Sequence, residues 1–92
     1  MESDVKATRI TATGAVTTFP ARLKGLTFLA GASAGTITLR DGGSGGTTLA
    51  VFDTPGSATW QGTIDLPGNG IQFRSDMHAT LSNVTGVTFF YA

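Results

Sequence analysis

Three neighbouring residues suggest nucleophilic chemistry: Ser75, Asp76 and His78. A hydrolytic triad uses these residue types, but it assembles them from separate elements. Along one extended strand Asp76 and His78 share a face and Ser75 points away, because side chains alternate. His78, the single histidine, alternates with Met77 and Ala79 and is expected to face solvent or an interface. Asp53, Asp65 and Asp76 could supply the carboxylate pair of a glycoside hydrolase. Each lies beside a turn or on a polar strand face, where aspartate serves local hydrogen bonding. The single glutamate, Glu2, stands at the terminus. Trp60 and Tyr91 could form an aromatic platform for sugars. Trp60, however, shares its strand face with Ile64 and Leu66, which predicts burial in the core.

The run Asp41-Gly42-Gly43-Ser44-Gly45-Gly46 has four glycines in six residues. A phosphate-cradling loop would need a following Lys or the opening of a helix, and strand grammar resumes instead at Thr47. A Ca²⁺ loop would need several carboxylates, and Asp41 is the only one there. The segment reads as a flexible hairpin tip, or as a contact loop that orders against a protein partner. Asp41, Gly42, Gly43, Ser44, Gly45 and Gly46 are therefore the candidate partner contacts. No catalytic, cofactor or metal residues emerge, and the expectation is a protein that is not an enzyme.

The elements that must carry these residues are strands. Thirteen Gly, sixteen Thr and six Ser occupy 35 of the 92 positions, and only 13% of residues are charged. Gly and Thr disfavour helix, while 40% hydrophobic content favours collapse over disorder. Six basic residues balance six acidic ones, so there is no basic field for nucleic acid. The absence of cysteine removes disulfide staples and zinc–thiolate sites. No apolar run approaches a membrane span, and the start lacks the pattern of a secretory signal. Neither nucleic acid nor membrane is an expected partner.

Strand signals fall at 5–13, 15–19, 22–32, 35–40, 47–53, 58–66, 71–73, 77–82 and 84–91. Ile37 and Leu39 alternate with Thr36, Thr38 and Arg40; Val87, Phe89 and Tyr91 share a face of the last strand. Segment 22–32 is apolar on both faces, as in a strand buried on two sides or in an interface. Thr54-Pro55-Gly56-Ser57 reads as a type II turn and Pro67-Gly68-Asn69-Gly70 as a second tight turn. The expected fold is all-β: a small antiparallel β-sandwich, jelly-roll-like, of about eight strands. Residues 1–5 are expected as an N-terminal arm and 6–92 as a single domain.

Several stretches together resemble the short structural proteins of tailed bacteriophages. They are the strand and reversal from Ala34 to Leu49 with its RDGGSGG core, Leu66-Pro67-Gly68-Asn69-Gly70-Ile71-Gln72-Phe73, Ala79-Thr80-Leu81 and Val87-Thr88-Phe89-Phe90-Tyr91. The resemblance spans roughly residues 23–92 and carries no catalytic residues. It implies a virion component, foremost a capsid decoration (cement) protein docked across neighbouring subunits of the major capsid protein. A tail, fibre, baseplate or head–tail accessory is the alternative it implies. A carbohydrate-binding module is a second alternative, from the aromatics. Self-association, with a trimer favoured, is expected of so small a domain without staples.

Overall fold

The computed structural model describes residues 5–57, 60–68 and 70–92. Nine strands form among them: β1 (Lys6–Ile10), β2 (Gly14–Thr17), β3 (Ala21–Ala30), β4 (Gly35–Asp41), β5 (Thr47–Thr54), β6 (Gln61–Asp65), β7 (Ile71–Phe73), β8 (Met77–Ser82) and β9 (Val84–Tyr91). One sheet runs β1-β9-β3-β6, with β7 also on β3; the other runs β2-β8-β4-β5. Every pairing is antiparallel.

β6 lies opposite Gly25–Leu29 and β7 opposite Ala21–Leu23, so the two share one edge of β3 end to end. They fill a single strand position, and the sandwich has four positions in each sheet. The chain behaves as one long hairpin: β4 pairs with β5, β3 with β6 and β7, β2 with β8, and β1 with β9. Rolled up, that hairpin is a jelly-roll β-sandwich. Its extents are 37 × 34 × 19 Å, a slab two sheets thick. β1 begins at Lys6; residues 1–4 of the expected arm lie outside the described residues.

Leu23, Leu26, Ile37, Leu39, Phe73, Met77, Val87 and Phe89 are the largest fully buried side chains. Strand alternation puts them there in β4 and β9, as the sequence predicts. In β3 the alternation breaks. Leu23 faces Tyr91 and Gly25 faces Phe90, which leaves Lys24 as an extra residue. This bulge shifts the phase by one. Ala21 and Leu23 before it, and Leu26, Phe28 and Ala30 after it, all enter the same core. The two apolar faces of segment 22–32 are thus one face, divided by a bulge, and not two buried surfaces.

A second irregularity sits in β5. Leu39 pairs with Ala50 and Arg40 with Thr48, leaving Leu49 unpaired. Ala50 and Phe52 pack on the core, while Leu49 and Val51 are exposed. The type II turn expected at 54–57 is absent, because Gly56 is not among the described glycines with positive φ. Gly56 instead allows a close approach: a Cβ there would stand 2.9 Å from the Ala34 nitrogen. The second turn forms as expected, with Gly68 at φ +60° and the Gly70 N–H donating to the Pro67 carbonyl at 3.0 Å. Asn69 lies outside the described residues. So do Ala58 and Thr59, the start of the strand expected over 58–66; β6 proper begins at Gln61.

Candidate functional site

Asp41 closes β4 and opens the glycine-rich tip. Its Oδ2 accepts the Arg74 N–H at 2.8 Å, and its Oδ1 accepts those of Ser75 at 2.9 Å and Asp76 at 3.4 Å. Asp76 returns the contact: its Oδ1 accepts the N–H groups of Gly42 at 3.0 Å and Gly43 at 2.9 Å. Each aspartate therefore binds the backbone of the other's turn. Two adjacent N–H groups can reach one oxygen because Gly42 and Gly43 have φ of +104° and +80°, a region glycine adopts without penalty. The Gly46 N–H then donates to the Gly43 carbonyl at 3.0 Å. Ser44 and Gly45 are left exposed at the apex. The loop expected to be a flexible tip is thus clasped, because Asp76 supplies the ordering side chain from another part of the chain.

The clasp also changes Asp41 electrostatically. Backbone hydrogen bonds from Arg74 and then Ser75 favour its ionised form and hold its carboxyl below the usual aspartate range. The outcome is a loop held in one shape by two reciprocal carboxylates.

Ser75, Asp76 and His78 do not assemble. The Ser75 N–H donates to Asp41, the Asp76 carboxylate turns to the glycines, and His78 stands on β8 opposite Arg40 and Ala15. His78 is half-buried, and its Nδ1 is shielded without a hydrogen-bond partner. Asp53 is exposed on β5 and Asp65 is exposed at the end of β6, in the other sheet. Among the described residues no three His, Cys, Asp or Glu side chains group as a metal site. An open hollow of about 210 Å³ is lined by Pro20, Ala21, Arg22, Gln72, Phe73 and Ala92.

The aromatic pair also separates. Tyr91 is buried, its hydroxyl shares a hydrogen bond with Thr8 Oγ1 at 2.9 Å, and Phe19 packs on its ring at 6.3 Å. Trp60 is 47% exposed rather than buried in the core. It does share the inward phase of β6, but it precedes the strand's first residue, Gln61, and β6 is at an edge of its sheet. Its ring covers Gly62 and tilts against Phe28 at 5.5 Å. A Cβ at Gly62 would overlap the indole, so the glycine makes room for it. The reciprocal aspartates escaped the sequence reading. Their only trace is an Asp at the edge of each of two turns.

No family model, no curated protein and no solved structure matches this chain.

Proposed function

We propose that this protein is a structural building block that docks on a larger protein assembly, most concretely a capsid decoration protein of a tailed bacteriophage. One observation carries this reading: the Asp41–Asp76 clasp, which presents the glycine-rich tip in a fixed shape. A loop ordered before binding loses little entropy when it docks, so modest contacts suffice. Several such contacts, made at once across neighbouring shell subunits, would hold those subunits together at high effective concentration. The turn-and-strand resemblance to phage structural proteins supports the same reading, in which the protein is a virion component. Purified protein added to undecorated capsids should bind and raise their resistance to heat. Capsids that neither bind it nor gain heat resistance would sink the decoration reading.

A second reading has one observation in its favour. Trp60 offers an exposed indole on a firm base of Gly62 and Phe28, and such a ring can stack on a sugar. Indole emission that shifts on titration with oligosaccharides would favour a carbohydrate-binding module. Emission that stays constant across a glycan panel would remove it.

A further inference from the structure

We propose that β5 is a self-pairing edge, through which two copies of this chain join antiparallel into one continuous sheet. This goes beyond docking on a shell and does not depend on it.

The argument begins with the four sheet edges. Unpaired strand edges invite a further strand, and proteins protect them with charge, shortness, proline or bulges. β1 carries Lys6 and Arg9 along five residues. β2 has four residues and an irregular register between Ala15 and Thr17. β6 and β7 have five and three residues, divided by the turn at 67–70. β5 differs from all of these. It runs for eight residues, Thr47–Thr54, without Lys, Arg, Pro or Gly, and it pairs with β4 alone. Its protective devices are a single charge, Asp53, and the bulge at Leu49, which lies near its start and leaves Ala50–Thr54 regular. Leu49 and Val51 are 38% and 54% exposed on the adjoining outer face.

Charge selects a second copy as the occupant, and selects the antiparallel sense. On the outer face of β4 and β5, Asp53 stands at one end, opposite Thr36, and Arg40 at the other, opposite Thr48. A two-fold axis near Val51 sets Val51 against the same residue of the other copy and brings the end with Asp53 to the end with Arg40. The two backbones concerned are then two strand spacings apart, about 10 Å, and Arg40, whose Nη1 donates to Thr80 Oγ1 on β8 at 2.9 Å in the single chain, turns from that contact to reach across. A parallel pairing would instead set Asp53 beside Asp53. Zero formal net charge adds no general repulsion between copies.

Sedimentation equilibrium on the full chain tests the proposal. Wild type should be a dimer. Val51→Lys places a charge on the edge at an already exposed position, so the fold survives, and it should weaken dimerisation about tenfold or more. Asp53→Lys should weaken it roughly threefold at low salt, and Arg40→Glu in the same chain should restore it. Melting of Asp53→Lys that matches wild type at a dilution where both are monomers certifies that its effect comes from pairing. A monomer at the highest soluble concentration, a trimer, or a dimer indifferent to Val51→Lys would overturn the proposal.

Discussion

At one end of the sandwich two carboxylates hold five backbone N–H groups; at the other an indole lies across a glycine. The first end contains the tip after β4 and the turn before β8. The second contains Trp60, whose carbonyl accepts the Ala30 N–H at 2.9 Å just before the chain crosses to β4. Both ends are fixed, but by different forces. The clasp depends on the ionised carboxylate of Asp41, whose carboxyl the fold holds below the usual aspartate range, and is open to water, so it responds to pH. The indole cover depends on contact with Phe28 and removal of apolar surface, so pH should not touch it. A small sandwich can therefore have one chemically tunable end without weakening its core.

The largest effect should come from removing the shelf under the indole. Phe28→Ala empties a buried site and should cost about 3–5 kcal/mol, by the same amount at pH 5 and pH 8. Chemical denaturation at both values checks this, and Trp60 emission should shift to the red. Gly62→Ala comes next. Its methyl would collide with the indole and Phe28, so the ring must swing outward at a cost of about 1–3 kcal/mol, again with a red shift.

At the other end, Asp76→Ala should cost about 1–2 kcal/mol and speed amide exchange at Gly42 and Gly43, leaving Trp60 emission unchanged. A shift in that emission would show that the ends are not independent. The smallest effect concerns Asp41. Its pKa is lowered in the fold, below the unfolded value of about 3.9. Its contribution is then complete above that value and lost as pH falls through the folded pKa. The melting temperature of wild type should drop more steeply than that of Asp41→Asn below about pH 3.9. Parallel curves would mean the clasp carries no linkage.

The legible and illegible parts of this fold divide by range. Ile37 and Leu39 announce β4, and Val87, Phe89 and Tyr91 announce β9, because alternation is local and uninterrupted there. The reversal at 41–46 is equally plain from its glycines. β3 misleads because a single inserted residue, Lys24, turns one apolar face into two on paper. Segment 47–53 is undecided in the sequence, with Leu49 and Val51 against Ala50 and Phe52; only the neighbouring strand chooses the inner pair. Trp60 has the phase of a core residue but stands just before an edge strand, beside Ala30 at the end of β3, and phase says nothing about which strand is an edge. The clasp joins residues more than thirty positions apart, beyond the reach of any local pattern.

The rolled-hairpin pairing bears on how such a chain comes into being. Among the described residues, β4 and β5 are the only strands adjacent in sequence that also pair with each other. Folding should then start at the glycine-rich reversal and zip towards the termini, slowly, since each later pairing closes a longer loop. β9, made after the other eight of these strands, is internal to its sheet and lies between β1 and β3. A ribosome that has not yet released residues 84–91 holds a chain whose first sheet has a gap in its middle. The sandwich closes only after that segment emerges, and until then both flanking strands offer open edges to other nascent chains.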